Sequence, residues 1–595
     1  MKKVKFLAVL AAAIIACTPL AACGGNEGSG DATTINFYCE ATSIQKKLAY
    51  QNMVKNYNQG QGKTDGVYVR ANYNASSAML GTTLTGDSAD VVSVDDEDFK
   101  AYAMLEYFLD LTPYMTETAK TAMQWDDISD YYKDRWCYTY QLDQTLNKRT
   151  AGKGTTVLAL PNGSTPETLF YNADILKSAG IHIISVSEAE LDAYNTQNGT
   201  SYQPHGYAEY KVAPATGLTA STNGAGQSVY KVFNNRISMN WEEFRYLCRY
   251  LIDNTSANYG YVSQQWFDYG WTVGGDCIGW NNEKGEYEFT LDDKTANYLV
   301  LQDNVTVGGN TYNKGDIVRY EDKSSVDNSL IGDDKTFHEL PSTYDAFLEF
   351  TRTSVPTNKE ADEGKAGYGI AYVNNTGGDT LYKNGSAVFY QGYSPLNQQE
   401  LADAGLRNKM DIALLTQWRE YVGGSLTDDG KLKVIGETYS GSVYTGELAK
   451  ANGVDLVGKY STVSKNSGIA IAKNAKSENR EAAFKFVSWL VGPNGQKILT
   501  DANTTIPNQK SIAFSSDYLD GSSRVVKNTW AASFSAQTSD LGDWSYFENG
   551  SWITDWANDL NYNTRFGTKT LQQFFDARAN NADTALANMN LRVYR

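Results

Sequence analysis

Predicted strands and helices alternate along the first part of the chain, and this alternation limits the folds that the sequence can adopt. Short runs rich in β-branched and aromatic residues predict strands, and Ile44, Leu48 and Val54 share one stripe of an intervening helix. The predicted order is strand 34–38, helix 44–57, strand 67–73, helix 76–84 and strand 89–94. Such alternation is typical of an α/β chain with an open parallel sheet.

Acidic residues follow the first and third of these predicted strands, as Glu40 and as the run that begins at Asp95. Ligands of open α/β sheets bind beyond the carboxyl ends of strands, and a carboxylate can accept two hydroxyl hydrogen bonds. Glu40 and Asp95 are therefore candidate ligand-binding residues, with a solvated loop or a helix cap as the alternative. That alternative is favoured for Asp96 and Glu97, and the acidic run lacks the spacing of a known calcium loop.

The N-terminus has the layout of a secretory signal, with a basic lead, an apolar run and small residues before a cysteine. Residues 1–22 end in Leu20-Ala21-Ala22 before Cys23, which resembles the signal of bacterial lipoproteins. The resemblance implies that Cys23 carries a diacylglyceryl group and that residues 23–32 tether the rest to the outer face of the cytoplasmic membrane. The alternative is an ordinary secreted protein with a chance cysteine near the cleavage site.

Length and charge narrow the function classes. A chain of 595 residues is too long for one compact core, so two or more lobes are expected. The net charge of −17 argues against nucleic acid and against polyanionic substrates. The 41 tyrosines and 12 tryptophans offer flat apolar faces with polar edges, which suit polar organic ligands.

The cysteines give no zinc motif. Cys39, Cys137, Cys248 and Cys277 are scattered without CxxC spacing, so they are either buried thiols or disulfides in one of three pairings. No cofactor motif is present, and none is predicted.

The later chain contains recognisable elements and one stretch without periodicity. Asn240 is the predicted cap of a helix whose buried stripe is Trp241, Phe244, Leu247 and Leu251. The sequence also predicts a strand 155–160 closed by Pro161-Asn162-Gly163, loops and hairpins over 188–235, a hairpin within 305–320, a helix 337–353, strands 385–390 and 467–473, a helix 478–490 capped by Ser477, and a helical tail over 530–595.

Six segments, in this order, resemble the family 1 extracellular solute-binding proteins of ABC sugar importers. They are Asp90-Val91-Val92 with Leu109–Tyr114; Leu158–Pro161 with Leu169–Asn172 and Ala179–Ile181; Asn240–Phe244; Gly274-Gly275; Gly385–Tyr390; and Ile469–Ile471 with Glu481–Val487, Gly492–Gln496 and Ile506–Asn508. Each segment alone is a weak signal, whereas their common order behind a lipoprotein signal is specific.

The resemblance implies a two-lobed periplasmic-binding-protein-like fold with crossover strands between the lobes. Lobe one is expected to comprise 33–158 with 465–505, and lobe two 159–464 with 506–595. The segments near 188–235 and 304–334 fall outside the resemblance and are expected to be insertions. A ligand in this family is held in the cleft between lobes, which closes by hinge bending.

A neutral sugar needs flat rings for its C–H face and fixed polar groups for its hydroxyls. The stretch 265–280 offers both, including Trp266, Trp271 and Asp276. Trp271 is the first choice for a platform, with a core tryptophan as its alternative, whereas packing in the core or at the rim is favoured for Trp266. By analogy with the family, Tyr390 or Tyr393 and Trp552 are further candidates for stacking. Packing between helices is the alternative for Trp552.

The sequence therefore predicts a binding protein for a neutral oligosaccharide, with ABC permease subunits as partners. Its three histidines form no HExxH, and neither GxSxG nor a phosphate loop is present. A surface glycoside hydrolase stays open, because the two carboxylates that it needs cannot be seen in a sequence. A sugar sensor or adhesion protein with the same fold is the other alternative.

Overall fold

The computed structural model describes residues 32–593 apart from internal gaps. The gaps are residues 41–42, 76, 87, 144–147, 201, 203–206, 211–220, 223–227, 264, 276, 282–285, 297, 302–303, 308, 313–316, 320–336, 340, 374–376, 423–453, 459 and 540–550. Within the part of the chain that is described, no helix is both long and apolar enough to cross a bilayer.

An eight-stranded mixed sheet runs through the molecule. Its strands, in chain order, are β1 (Thr33–Glu40), β2 (Val67–Ala75), β3 (Val91–Asp95), β4 (Ala159–Asn172), β5 (Tyr259–Val262), β6 (Ala387–Tyr393), β7 (Met410–Ala413) and β8 (Ser464–Ile471). The spatial order is β5-β6-β4-β8-β3-β1-β2, and β7 also pairs with β4. The predicted parallel pairing of the first three strands is confirmed, while β8 lies antiparallel to both β3 and β4.

Strand β4 links the two halves of this sheet, and here the sequence prediction was wrong. The pattern predicted one strand over 155–160, but the structure ends one strand at Val157 and begins β4 at Ala159, which continues through Pro161 and Pro166. Residues 159–166 pair with β8, whereas residues from Glu167 onward pair with β6 and β7. Proline disturbs a ladder only where its missing N–H is needed, so a strand that changes partners can tolerate it.

Helices cover both halves of the sheet. They are Ile44–Gln59, Gln61–Asp65, Ser77–Thr85, Asp96–Met104, Glu117–Met123, Asp130–Asp134, Ala173–Ser178, Leu191–Asn198, Trp241–Asn254, Phe267–Thr272, Thr343–Ser354, Gly378–Lys383, Leu396–Leu401, Ser477–Val491, Pro493–Asp501, Lys510–Ala513, Ser516–Leu519, Thr529–Thr538, Ser551–Asp559 and Leu571–Val593.

The best-marked helix start is confirmed in detail. Asn240 accepts a hydrogen bond from the Glu243 backbone N–H at 2.8 Å, and the Glu243 carboxylate accepts one from the Asn240 N–H at 2.8 Å. This capping box satisfies two backbone donors that the first helical turn leaves unpaired. Phe244, Leu247 and Leu251 are buried as predicted, whereas Trp241 is only half-buried.

Three other predictions needed correction. The helix expected over 337–353 is a strand at Phe337–Glu339 followed by a helix that Ser342 caps. Ser477 is the first helical residue rather than the cap, and its helix ends before Gly492. The stretch 188–235 contains the helix Leu191–Asn198, which the pattern missed because Leu191 is its one buried residue.

Small sheets lie outside the main sheet, and their described pairings are antiparallel except that His182–Ile184 runs parallel to Ser228–Asn234. Their strands are Cys137–Asp143, Lys148–Val157, His182–Ile184, Tyr207–Tyr210, Ser221–Thr222, Ser228–Asn234, Ile278–Asn281, Glu286–Phe289, Tyr298–Leu301, Val305–Val307, Asn310–Tyr312, Ile317–Arg319, Phe337–Glu339, Glu360–Asp362, Lys365–Ala366, Arg419–Val422 and Val454–Val457. The hairpin predicted within 305–320 is confirmed as the antiparallel pair 305–307 and 310–312.

Separate apolar cores support the two halves. In the first half, Phe37 of β1 packs edge-on against Phe486, with ring centroids 5.4 Å apart. In the second half, Phe389 of β6 packs against Phe233 and Phe244. A third cluster surrounds Trp556 of the C-terminal helices. The molecule thus has the predicted two-lobed α/β fold with a crossover strand, and the stated lobe boundaries stay a prediction.

Candidate ligand-binding cleft

A cavity of about 520 Å³ opens between the two halves of the sheet. One wall comes from the start of the helix 44–59, the end of β3 and the start of β8. The facing wall is formed by Pro395, Leu396 and Gln399, which follow β6. Strand β4 supplies Asn162, Gly163 and Thr165 between the walls, so both halves of the molecule contribute to one site.

A lysine, a serine and an aspartate form a hydrogen-bonded group on the first wall. Ser467 Oγ donates to Asp95 Oδ1 at 2.9 Å, and Lys46 Nζ donates to Ser467 Oγ at 3.5 Å. Lys46 Nζ also lies 4.0 Å from Asp95 Oδ1, and the aspartate side chain is 41% exposed. The group therefore presents an accessible anion and a cation side by side, which can accept from and donate to hydroxyl groups.

Asp96 lines the same cavity but is committed to internal contacts. Its Oδ2 lies 2.5 Å from Arg135 Nη1 and accepts a hydrogen bond from Asn466 Nδ2 at 2.8 Å. The side chains of both ion-pair partners are largely buried. This geometry agrees with the structural role that the sequence favoured for Asp96.

The part of β4 that lines the cavity is fixed by polar contacts with residues outside the described lining. Asn162 Nδ2 donates to the Tyr50 hydroxyl at 2.8 Å, and the Gly163 N–H donates to Asn508 Oδ1 at 2.7 Å. Gly163 has φ of +96°, and a Cβ there would lie 2.4 Å from Thr505 Oγ1. Only glycine fits this position without displacing its neighbour.

Tyr393 stands at the edge of the cavity. Its half-buried ring lies under the Lys465 ammonium, 4.8 Å from the ring centroid, and Lys465 lines the cavity. The Tyr393 backbone N–H donates to Asn397 Oδ1 at 2.7 Å, which ties the ring's strand to the helix of the facing wall. Among the described residues predicted to stack on a sugar, Tyr393 is thus in contact with a side chain that lines the cavity, that of Lys465.

The predicted tryptophans of the stretch 265–280 lie in the interior. Trp271 is 5% exposed, which favours the alternative of a core tryptophan. Trp266 is 7% exposed and packs 4.6 Å from Trp556, so it belongs to the aromatic cluster of the C-terminal helices. Neither is among the described residues that line the cavity, and none of those described lining residues is aromatic.

Tyr390 and Glu40 are also not among the described lining residues. Tyr390 stacks on Tyr382 with centroids 5.6 Å apart, and burial raises the pKa of its hydroxyl group. Glu40 ends β1 half-buried, and its backbone N–H donates to Ser93 Oγ at 2.8 Å. Asp276, Cys23 and the side chain of Trp552 lie outside the described residues, so the roles assigned to them stay predictions.

Most lining residues carried no signal in the sequence. In the sequence, Lys46 is indistinguishable from other lysines in a first helical turn. Lys465 and Ser467 are indistinguishable from other polar residues before or at the start of an apolar strand. Only the rule that ligands sit beyond strand ends identified Asp95. Of the four cysteines, Cys39, Cys137 and Cys248 are buried free thiols, and Cys277 is also buried. Among the residues that the structure describes, no three His, Cys, Asp or Glu side chains cluster as metal ligands.

No family model matches the sequence, and no curated protein matches it significantly. Solved structures do match. The chain is similar to a cyclic α-maltosyl-1,6-maltose binding protein from Arthrobacter globiformis, with 11% identity and a TM-score of 0.51 over 94% of this chain and 100% of that chain. It is also similar to an ABC substrate-binding protein from Listeria monocytogenes in complex with cycloalternan, with 15% identity and a TM-score of 0.49 over 94% and 100% of the two chains.

At identities of 11–15%, the similarity to these structures supports the fold alone. The resemblance inferred from the six sequence segments is confirmed at that level. The chain has the two-lobed fold of the sugar-binding proteins of ABC transporters.

Proposed function

We propose that this chain is an extracytoplasmic, lipid-anchored solute-binding protein that captures a neutral oligosaccharide between its lobes and delivers it to an ABC importer. The observation that carries the proposal is the cavity between the two halves of the sheet, with polar side chains from both. A volume of about 520 Å³ lies within the usual range of small-molecule sites, roughly 300–1,000 Å³.

The chemistry of the lining suits a polyhydroxylated ligand. Hydroxyl, amide, carboxylate and ammonium groups alternate along the walls, so donors and acceptors are both offered. The described lining carries two lysines, Lys46 and Lys465, and two aspartates, Asp95 and Asp96, so its formal charges cancel and favour neither an anion nor a cation. The Arthrobacter globiformis protein is named for a cyclic maltosyl oligosaccharide, and such sugars belong in the first panel of ligands.

The described site lacks the arrangement of carboxyl groups that glycoside hydrolysis requires. A glycosidase needs one carboxyl group that donates a proton and a second that attacks or activates water. Asp95 and Asp96 both line the cavity, but Asp96 is held by Arg135 and Asn466. Asp96 is therefore committed to contacts within the protein, and we favour binding without hydrolysis.

Isothermal titration calorimetry of the purified, processed chain tests ligand capture. We expect one-to-one binding of a neutral oligosaccharide with a Kd of about 1 μM, roughly −8 kcal/mol. Linear and cyclic α-glucans form the first panel, and a sulfated oligosaccharide is the charged control. Absence of heat across a broad glycan panel contradicts oligosaccharide capture, and release of reducing ends during long incubation contradicts the proposal of a binder.

Anchoring and delivery need experiments in cells. Metabolic labelling with a fatty acid is expected to mark the wild-type chain and not a Cys23→Ser variant, because the diacylglyceryl group needs the thiol. Deletion of permease genes encoded nearby is expected to abolish uptake of the captured sugar. Label on Cys23→Ser, or uptake that persists without the permease, would contradict the respective part.

A further inference from the structure

Two of the chain segments that cross between the halves run side by side at one point. Strand β4 changes partners between Pro166 and Glu167, and the segment that leads into β8 lies next to this switch. The Glu167 N–H donates to the Val463 carbonyl at 2.8 Å, and Thr462 Oγ1 donates to the Glu167 carbonyl at 3.0 Å. A change in the angle between the halves is therefore expected to involve these residues.

Two buried carboxyl groups and one side-chain amide connect the two crossing segments by hydrogen bonds. The Gln391 amide nitrogen donates to Glu167 Oε2 at 2.6 Å and also to Asp268 Oδ2. The Gln391 amide oxygen accepts from the Gln265 N–H at 3.2 Å and from the Tyr261 hydroxyl. Asp268 Oδ1 accepts the Val463 N–H at 3.1 Å. We call Glu167, Asp268 and Gln391 the crossover clamp.

The crossover clamp places the carboxyl groups of Glu167 and Asp268 close together in the buried interior of the protein. All three of its side chains are at most 5% exposed. Burial, followed by the neighbouring Asp268 carboxyl, raises the pKa of Glu167 well above its usual value, and burial raises the pKa of Asp268 to about 7. Two adjacent buried carboxylates repel each other, so a proton on one of them lowers the free energy of the pair.

The other titratable groups around the pair leave little countercharge. Within the described part of the chain, Lys465 of β8 is a cation that acts on Glu167, and its influence is weaker than those of burial, Asp268 and the two glutamine side chains. Four tyrosines also surround the pair and stay neutral near pH 7: Tyr261, Tyr269, Tyr390 and Tyr460. The buried guanidinium of Arg565 acts on Tyr261 and Tyr269.

The elements of the clamp also hold the cavity walls. Thr165, which lines the cavity, lies two residues before Glu167 on β4. Lys465 lies two residues after Val463, and Pro395 lies four residues after Gln391. A shift of the clamp thus moves lining residues from three separate segments.

We infer that Glu167 and Asp268 share a single proton and that this proton sets the angle between the halves that frame the cavity. Glu167, Asp268 and Gln391 are then positioning residues for the ligand. Only the consequence for ligand affinity rests on the proposed function, because the state of the clamp can be measured without a ligand.

The sign of the pH effect follows from proton linkage. Both carboxyl groups hold protons more tightly in the folded chain than in the unfolded chain. Their contribution to stability is therefore present at low pH and is lost as the pH rises from about 4, the ordinary range of these groups, through their raised pKa values in the folded chain, which is about 7 for Asp268. Once both groups have lost their protons, two charges face each other across the amide, and we expect the crossover to loosen.

Unfolding by urea as a function of pH tests the shared proton. If the folded chain binds one more proton than the unfolded chain, the folding equilibrium constant falls up to tenfold for each unit by which the pH rises. The free energy of unfolding then falls by about 1.4 kcal/mol per pH unit. In Glu167→Gln, which mimics the protonated acid, we expect that component of the slope to disappear. Glu117→Gln is the matched control, because Glu117 is exposed on a helix of the first half, and it should keep the wild-type slope.

An unchanged slope in both Glu167→Gln and Asp268→Asn overturns the inference. If neither variant folds, the infrared band of a neutral carboxylic acid in the folded wild type decides. Its presence near pH 6 supports the shared proton, and its absence refutes it.

Spin labels on Lys55→Cys and Lys409→Cys test the angle, since both positions are exposed and lie on opposite halves. We expect the label distance to change between about pH 6 and about pH 8.5 in the wild-type background and to stay constant with Glu167→Gln. A distance that does not respond to pH in either background overturns the link to the angle.

Calorimetry with the oligosaccharide found in the panel tests the consequence for binding. If the fraction of molecules in the binding-competent conformation falls to about a third at the higher pH, the affinity for the sugar weakens about threefold. The affinity of Glu167→Gln is expected not to depend on pH. If no sugar binds at any pH, the proposed function fails, while the unfolding and distance measurements still decide the clamp. If a sugar binds with the same affinity at both pH values, the coupling of the clamp to the cavity is refuted.

Discussion

Removing the Asp95 carboxylate should weaken oligosaccharide binding about tenfold. The contacts that the structure describes for this carboxylate fall on Oδ1, from Ser467 at 2.9 Å and Lys46 at 4.0 Å, so Oδ2 is available to a sugar hydroxyl. A hydrogen bond to a charged group contributes about 1.5–3 kcal/mol. Because the side chain is 41% exposed, water competes for it, and the lower end of that range applies. A loss of about 1.4 kcal/mol corresponds to a tenfold change in Kd.

The assay is calorimetry of Asp95→Ala with the best ligand of the panel. The midpoint of urea unfolding should stay nearly unchanged, because a solvent-accessible ion pair contributes only about 0–1 kcal/mol. Asp126→Ala is the matched control, since Asp126 is an exposed aspartate outside the described lining of the cavity. If folded Asp95→Ala binds as tightly as the wild type, the placement of the sugar against this wall is wrong.

Three further predictions concern stability, each measured by urea unfolding. Trp556→Ala should cost about 3–5 kcal/mol, because the ring is 2% exposed at the centre of an aromatic cluster, and a loss below about 1 kcal/mol would contradict that packing. Gly468→Ala should cost about 1–3 kcal/mol, since its Cβ would lie 2.7 Å from Cζ3 of Trp136; wild-type stability would show that the ring can move aside. Asn240→Ala should cost about 1 kcal/mol by leaving the Glu243 N–H unpaired, whereas Asn240→Asp should be nearly neutral; equal losses in both variants would argue against the capping role.

The parts of the fold that the sequence predicted depend on near neighbours along the chain. The capping box at Asn240 needs only residues three apart, and the first strands and helices show the periodicity of half-buried elements. The order of short segments was sufficient to predict a two-lobed fold because each segment marks a fixed place in it. Strand β4 was missed, since its course through Pro161 and Pro166 depends on partners that lie some 220 to 310 residues away.

The cleft was decided by contacts over long sequence distances. Lys46, Asp95 and Ser467 meet although the first and last are separated by 421 residues, and no local pattern distinguishes this lysine or serine from other surface residues. For the tryptophans, a local pattern suggested a binding role that the tertiary structure does not support. The aromatic and glycine-rich stretch 265–280 suggested platforms for a sugar, but Trp266 and Trp271 are buried, and their burial depends on which helices pack over them.

The sequence by itself determined the class of fold, the position of the best-capped helix and the acidic end of β3. The tertiary structure alone decided which side chains line the cavity and that Glu167 and Asp268 share one amide. The physical reason is that backbone preferences and periodicity act over a few residues, whereas a site between two lobes is made by strands that exchange partners across the whole chain.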